Sequence, residues 1–336
     1  MNNHEFIARR KINTPPLISP LRYPGGKRRF ARSIADILNA HLTRPLSLFI
    51  EPFAGSAAVA IALLEAGYTE RIALCDTDPL IGNFWRVVFG GDREFSELCE
   101  WIERAPITLD QFHEVRGLTP RTSVEAAFKC LFLNRTSFSG VLHRWAGPIG
   151  GSRQASPYTI DCRFPREAIL HRLDDLHRMK RRVLYAGTRS YNRIASSAPV
   201  GRLVAAQPQR VLWYLDPPFF CKAEKLYNHV FGPSDHRRFR EFVDRKLSGH
   251  WIVSYDDVPQ ARSLWSDCES LTEASLTYSA SAASRKGVER SKRGRARELI
   301  LSSFFGASPG QVISLHGPHR KRGPAAPAAD WQAAKA

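Results

Sequence analysis

The sequence lacks long apolar runs, paired cysteine motifs and an excess of acidic residues. No run approaches the roughly 20 apolar residues that span a bilayer, and the polar residues 1–11 contain no apolar signal-peptide core. The six cysteines are far apart and never form a Cys-x-x-Cys pair, which excludes a zinc ribbon and a disulfide scaffold. We therefore predict a cytoplasmic protein whose cysteines are reduced core thiols.

Basic residues, in contrast, are abundant. Lysine and arginine total 49 against 32 acidic residues, which gives a net charge of +17. Such an excess favours a polyanionic partner, nucleic acid before membrane. With 336 residues, of which 43% are hydrophobic, the chain is long enough for one large α/β domain or for a domain with a sizeable insertion.

Short apolar runs alternate with helical periodicity along most of the chain. Six runs have strand length and composition: residues 46–50, 71–75, 182–186, 211–215, 251–255 and 299–305. Apolar residues at helical spacing predict helices over 30–42 and 236–247, and residues 57–66 suit a buried helix. This alternation predicts a mainly parallel sheet covered on both faces.

Three segments depart from the alternation. Residues 92–179 carry helical and loop patterns without a clear strand, which predicts a helical insertion in the α/β core. Residues 1–19 are polar, and residues 307–336 are rich in alanine, proline and glycine. We predict a flexible N-terminus and a disordered C-terminal tail for these two ends.

A strand followed by a small-residue turn and a helix, at residues 49–58, is the first candidate site. In parallel α/β folds, such a turn lets the backbone approach a ligand at the carboxyl end of a strand. Asp76 ends the next predicted strand, about 20 residues later, where an acid can accept hydrogen bonds from ribose hydroxyls. The alternatives are a turn without a ligand and a helix N-cap. A dinucleotide fingerprint is excluded because Gly-x-Gly-x-x-Gly is absent.

The second candidate site is the strand end Asp216-Pro217-Pro218-Phe219. Two prolines remove two backbone donors, so carbonyls and a carboxylate can form a concentrated acceptor site beside an aromatic ring. Such a site suits a planar ring that bears an exocyclic amine. A proline-terminated strand with a core phenylalanine is the alternative.

Two basic segments could hold phosphates. Gly25-Gly26-Lys27 precedes the first predicted helix, although the Walker spacing is missing and a basic turn is the alternative. The segment 284–297, which includes Arg285 and Lys286, could hold phosphates by Coulomb attraction. A solvated loop is the alternative for this segment.

These segments, in this order, resemble the DNA adenine methylase family, the adenine-specific N6 DNA methyltransferases that use S-adenosylmethionine. The similarity extends from about residue 21 to about residue 305 and includes an Asn-Arg loop at residues 132–140 and the strand 251–257. It implies a Rossmann-like methyltransferase fold with a mainly parallel seven-stranded sheet. Residues 20–91 and 180–306 would form the catalytic domain, and 92–179 a helical target-recognition insertion that binds DNA.

The resemblance also implies roles for individual residues. The expected cofactor-binding residues are Tyr23, Gly25, Gly26, Lys27, Glu51, Pro52, Phe53, Gly55, Asp76 and Asp216. The expected catalytic residues are Asp216, Pro217, Pro218 and Phe219. The expected DNA-binding residues are Asn134, Arg135, Ser137, Arg285 and Lys286. A buried ion pair that supports the loop is the alternative for Arg135.

The implied activity is site-specific transfer of a methyl group to the N6 amine of an adenine flipped out of double-stranded DNA. We expect a bacterial or phage-type monomer of the restriction-modification kind, without metal or membrane. Three positions depart from the family pattern: Ala57 replaces a glycine, Phe219 replaces a tyrosine, and an acid is missing near Tyr191. An RNA or protein methyltransferase and a non-enzymatic DNA-binding protein with a decayed cofactor site are the alternatives.

Overall fold

The computed structural model describes residues 18–22, 28–142, 146–220, 231–268, 271–277 and 295–304. Its strands are β1 (Leu48–Glu51), β2 (Ile72–Asp76), β3 (Val183–Thr188), β4 (Val211–Leu215), β5 (His250–Asp256), β6 (Leu271–Thr277) and β7 (Arg295–Ser302). All but β6 overlap a predicted run. We did not predict β6 because its sequence, LTEASLT, contains only two large apolar residues.

The strands form one sheet in the order β3-β2-β1-β4-β5-β7-β6. The pairs from β3 to β5 are parallel, whereas β7 runs antiparallel to both of its neighbours. The predicted mostly parallel α/β sheet is therefore confirmed, and the arrangement is consistent with a methyltransferase fold. The strand order reverses direction at β1, which lies between β2 and β4, and ligands of open α/β sheets bind at such a point.

Ten α-helices surround the sheet in the described part of the chain. They are α1 (Arg28–His41), α2 (Ala58–Glu65), α3 (Pro79–Val88), α4 (Asp92–Arg104), α5 (Leu109–Gly117), α6 (Ser123–Thr136), α7 (Arg166–Arg178), α8 (Ala198–Ala206), α9 (Pro233–Lys246) and α10 (Pro259–Leu264). The predicted helices over 30–42, 57–66 and 236–247 correspond to α1, α2 and α9.

Each face of the sheet has its own apolar core because successive strand residues point to opposite faces. Phe49 of β1 packs with side chains of α1, α2 and α3, whereas its neighbours Leu48 and Ile50 pack with those of α8, α9 and α10. Helix α3 approaches β3 closely, since a Cβ on Gly82 would lie 2.4 Å from Oγ1 of Thr188. The result is a sheet between two helical layers.

Between Asp92 and Arg178 the described residues form helices and loops and no strand. They share the apolar core of the α1–α3 face, to which Leu98, Phe112, Phe132 and Leu173 contribute buried side chains. Helix α6 is buried nearly all round, with a Thr122–Glu125 capping box at its start. Polar residues near its end must therefore find partners inside the protein.

The cysteines only partly follow the prediction. Five free cysteines lie in the described residues: Cys75 and Cys130 are buried, Cys99 and Cys268 are partly buried, and Cys162 is exposed. The expectation of a core position is therefore wrong for Cys162. Among the described residues, no helix combines the length and the apolar character that a membrane crossing requires.

Candidate active site at the strand ends

The turn after β1 is held by hydrogen bonds from the helices that follow it. Glu51, only 4% exposed, accepts a hydrogen bond from the amide of Ala60 at 2.9 Å. The carbonyl of Gly55 accepts one from Nε1 of Trp85, also at 2.9 Å. Gly55 has a φ of 45°, a left-handed conformation that glycine adopts without steric cost. The side chains of Glu51 and Trp85 therefore fix this turn, while Gly55 adds no side chain of its own to it.

Ala57 adopts the left-handed conformation as well, with φ 48° and ψ 25°, at the start of α2. Its side chain is completely buried. A left-handed alanine crowds its Cβ against the next carbonyl oxygen, at a cost of roughly 1–2 kcal/mol. The departure from the family's glycine thus places strain in the backbone of the turn.

Asp76 lies at the end of β2 and binds the β1 turn directly. Its carboxylate accepts the amide of Gly55 at 3.0 Å through Oδ2 and the amide of Asp78 at 2.9 Å through Oδ1. Burial raises the pKa of Asp76 to about 7, partly opposed by the hydrogen bonds from the Asp78 and Gly55 amides. The N-cap of α3 is Asp78, which accepts the amide of Leu80. Asp76 therefore faces the turn.

Aromatic rings pack beside this turn. Phe53, which is partly exposed, stacks on Tyr191 with a centroid distance of 5.5 Å, and Phe231 and Phe239 contact both rings. The family's acid is missing in this stretch, where the hydroxyl of Ser190 donates to Oδ1 of Asn192. This side of the candidate cofactor site is consequently aromatic.

Asp216 follows the last residue of β4, next to β1 in the sheet. Its Oδ1 accepts a hydrogen bond of 2.6 Å from Oγ of Ser254 on the neighbouring strand β5. Pro217 is buried, whereas Asp216, Pro218 and Phe219 are partly exposed. The parallel pairing of β2, β1 and β4 therefore brings Asp76, the β1 turn and Asp216 to one edge of the sheet.

The strand end is continued by Phe220. Its amide donates to Oδ1 of Asp256 at 3.2 Å, and its ring stacks on His236 with a centroid distance of 3.6 Å. His236 is buried and its Nδ1 lies 2.9 Å from the hydroxyl of Tyr255. Burial lowers the pKa of His236 to about 4, so the imidazole that packs against Phe220 is neutral at pH 7. The residue that follows the Asp216–Phe219 strand end therefore packs against an uncharged imidazole ring.

Asn134 is 3% exposed, lies near the end of α6 and joins this helix to the chain before α1. Its Oδ1 accepts the amide of Arg22 at 2.6 Å, while its Nδ2 donates to the carbonyls of Arg22 and Gly140 at 2.7 and 2.8 Å. One amide side chain therefore holds the segment that leads into residues 23–27 and, at the same time, closes its own loop.

Arg135 is 4% exposed and binds the same segment. Its Nε donates to the carbonyl of Pro20 at 2.6 Å, and its two Nη atoms donate to those of Ser19 and Arg163 at 3.3 and 3.4 Å. Burial, with the positive charge of Arg22, lowers the pKa of Arg135 to about 10. These contacts support the loop, but the described partners of Arg135 are backbone carbonyls, so they do not form the ion pair that the alternative predicted.

The remaining predicted residues fall into three groups. Pro52 is buried in the turn after β1. Ser137 is buried at the end of α6, and its neighbour Phe138 is 57% exposed. Contact with DNA stays a prediction for these residues. The exposed surface near them is at Phe138 and not at Ser137. Six predicted residues lie outside the described residues: Tyr23, Gly25, Gly26, Lys27, Arg285 and Lys286.

The sequence interpretation missed Ser254 and Tyr214, which contact the Asp216 carboxylate directly and through one intervening hydroxyl. One signal could have identified Ser254. It is a small polar residue inside an apolar strand, at the position that would lie opposite Asp216 if β4 and β5 pair in parallel.

Residues 23–146 match the family model described as D12 class N6 adenine-specific DNA methyltransferase. This match confirms the predicted resemblance to DNA adenine methyltransferases. It contains the β1 turn, Asp76 and the Asn134 loop, whereas Asp216 lies beyond its end. Methylation of adenine in DNA is thus the activity of the family that this part of the chain matches. No curated protein matches the chain.

Proposed function

We propose that the protein transfers a methyl group from S-adenosylmethionine to the N6 amine of an adenine rotated out of duplex DNA. The observation that carries the proposal is the position of the Asp216 carboxylate at the carboxyl end of β4, beside the β1 turn and Asp76. The family match over residues 23–146 supplies the substrate class.

The residues at this edge fit a cofactor with a ribose and a purine. The Asp76 carboxylate is an acceptor for ribose hydroxyls, and Gly55 presents backbone without a side chain at the turn. Phe53 and Tyr191 supply flat apolar surfaces nearby. S-adenosylmethionine, when bound, supplies an electrophilic methyl group on sulfur. The protein's part is to hold this donor against the strand end.

The Asp216 carboxylate and the Pro217 carbonyl would accept hydrogen bonds from the adenine amine. These acceptors localise the nitrogen lone pair and stabilise the positive charge that develops on nitrogen during displacement. Alignment of the two reactants supplies much of the remaining rate. Phe219 would stack on the extruded base; stacking of this kind contributes roughly 1–3 kcal/mol per base and offsets part of the unstacking cost.

The test measures transfer of label from S-adenosylmethionine to unmethylated double-stranded DNA and identifies the product nucleoside by mass spectrometry. We expect N6-methyladenine from the wild-type protein. Asp216→Ala should lower transfer by a factor of about 1,000, while DNA affinity stays within a few-fold. The matched control is Asp244→Ala, because α9 runs back from the strand ends and carries Asp244 near its far end.

Two outcomes would contradict the proposal. Parental transfer by Asp216→Ala would remove the assigned role of this carboxylate. Label in RNA or in a protein, with none in DNA, would favour the alternative methyltransferase classes.

A further inference from the structure

We infer that Ser254 is a positioning residue that fixes the Asp216 carboxylate for methyl transfer. This inference rests on the proposed function and assigns a role to a strand residue that is completely buried. The observation behind it is a chain of two hydrogen bonds. Oγ of Ser254 lies 2.6 Å from Oδ1 of Asp216 and 3.3 Å from the hydroxyl oxygen of Tyr214.

The direction of this chain follows from donor and acceptor chemistry. An ionised carboxylate only accepts, so the single hydroxyl proton of Ser254 points to Asp216. Ser254 must then accept from Tyr214, whose phenol donates. Hydrogen bonds in a chain polarise one another, which strengthens the bond that ends on the carboxylate. The Tyr214 phenol therefore supports Asp216 through Ser254.

The register of the sheet explains why a side chain, and not the backbone, joins β4 to β5 at this point. Strands β4 and β5 pair in parallel up to Leu215 and Val253, so the next positions along the register are Asp216 and Ser254. Beyond Asp216 the two prolines offer no amide to continue the ladder. The serine hydroxyl makes the contact between the strands at the point where the backbone pairing stops.

All three groups of this chain lie on the same face of the sheet. Tyr214 and Ile252 belong to the apolar core on the α1–α3 face, and Asp216 and Ser254 lie two residues beyond them along their strands. Both Tyr214 and Ser254 are shielded from water, with exposures of 1% and 0%. The two hydroxyl groups are therefore fixed inside the protein, and the short bond from Ser254 restrains the orientation of the partly exposed Asp216 carboxylate.

The consequence for the reaction is geometric. A carboxylate bound at Oδ1 cannot rotate freely about its Cβ–Cγ bond, so its plane stays aligned with the strand end. Without Ser254 the carboxylate would sample other orientations, and the amine nitrogen would be aimed at the methyl group for a smaller fraction of the time. The variant keeps the Asp216 carboxylate for its contacts in the bound state, so the loss should appear in kcat and not in KM.

The experiment compares steady-state methyl transfer to duplex DNA by the full-length wild-type protein and by variants. Ser254→Ala should lower kcat by a factor of about 10 to 100, as expected for misalignment of a reacting group, with unchanged KM for DNA and for S-adenosylmethionine. Ser254→Thr keeps the hydroxyl on a side chain that suits a strand, and should recover most of kcat. Tyr214→Phe should lower kcat less, because the direct bond to Asp216 remains.

The matched control is Ser47→Ala. Ser47 is also a buried serine, 1% exposed, but its hydroxyl donates to the carbonyl of Arg210 at the opposite edge of the sheet. It therefore loses a comparable internal hydrogen bond without touching the strand end. Thermal unfolding of all variants shows whether each one folds, and Ser47→Ala should keep the parental kcat and KM.

Each outcome has one meaning. A fall in kcat confined to Ser254→Ala and Tyr214→Phe, with rescue by Ser254→Thr, supports the positioning role. Parental kcat in Ser254→Ala, or equal losses in Ser254→Ala and Ser47→Ala, overturns it while the proposed function stands. Absence of methyl transfer by the wild-type protein overturns the proposed function first, and the role of Ser254 with it.

Discussion

The strand ends and the last turn of α6 use their polar side chains in opposite ways. At the strand ends, Asp76 and Asp216 are partly exposed and lie on one edge of the sheet. In the last turn of α6, Asn134 and Arg135 are buried, and each hydrogen bond described for them joins the side chain to a backbone atom. Two of these four residues therefore lie partly exposed at the edge of the sheet, and the other two face inward and brace the chain.

The difference follows from where each polar residue sits in its element. A residue at the carboxyl end of a parallel strand lies at the edge of the sheet, where it can contact solvent or a ligand. A residue in the last turn of the buried helix α6 is carried into the interior, where an unpaired polar group would be costly. The brace holds residues 19–22 and so supports the segment that leads to Gly25, Gly26 and Lys27.

The largest expected effect tests the brace. Arg135→Ala should lower the free energy of unfolding by about 3 kcal/mol, because three buried carbonyls lose a charged donor. Arg135→Lys should also be destabilising, since an ammonium lacks the fork that reaches several acceptors. Chemical denaturation measures both values.

The salt dependence of DNA binding separates a brace from a phosphate contact. If Arg135 braces the loop, Arg135→Lys loses stability, whereas an arginine that contacts a phosphate would tolerate lysine without loss of stability because the charge is kept. In Arg135→Ala, loss of a phosphate contact would reduce that slope by about 1. Arg153→Ala is the control, because Arg153 is exposed on the same insertion. A stable Arg135→Ala protein with a reduced slope would show that the inward placement is wrong.

The second prediction concerns the strand-end acid. Since the pKa of Asp76 is raised to about 7, its carboxylate is partly protonated near neutral pH. Affinity for S-adenosylmethionine should rise roughly tenfold from about pH 6 to about pH 8, as the ribose acceptor becomes fully ionised. Calorimetric titration at several pH values measures this change.

Asp76→Asn is the control for that titration, because its amide oxygen accepts hydrogen bonds at every pH. We expect weaker binding with a flat pH dependence. The same raised pKa predicts that the contribution of Asp76 to stability without cofactor is lost as pH rises from about 4 to about 7, because the folded state holds the proton more tightly than the unfolded state. A pH-independent affinity in the wild-type protein would argue against Asp76 as the ribose acceptor.

The smallest expected effect concerns the strained turn. Ala57→Gly should raise the free energy of unfolding by about 1 kcal/mol, because glycine has no Cβ that crowds the next carbonyl oxygen in the left-handed conformation. The comparison variant Ala62→Gly lies in the middle of α2 and should lower it by roughly 0.5–1 kcal/mol. Urea unfolding of the two variants should therefore give changes of opposite sign, and equal signs would contradict the strain.

Much of the fold could be predicted because it depends on local pattern. The apolar runs of β1 and β4 and the helical spacing of α9 identify their elements directly, and their alternation predicts a parallel sheet. Strand β6 could not be found in this way, because its position beside β7 comes from pairing and not from its own composition. The candidate site at the strand ends could be predicted from the same pattern, since Asp76 and Asp216 each follow an apolar run.

The pattern of the sequence was therefore enough to place Asp76 and Asp216 together, because the carboxyl ends of parallel strands lie at a common edge of the sheet. The burial of Asn134 and Arg135, and the bond from Ser254 to Asp216, arose only in the assembled protein. The bonds that join Asn134 to Arg22, Arg135 to Ser19 and Ser254 to Asp216 connect residues that are 112, 116 and 38 positions apart in the chain. Such partners are chosen by the packing of whole helices and strands, and no neighbouring residue in the sequence encodes them.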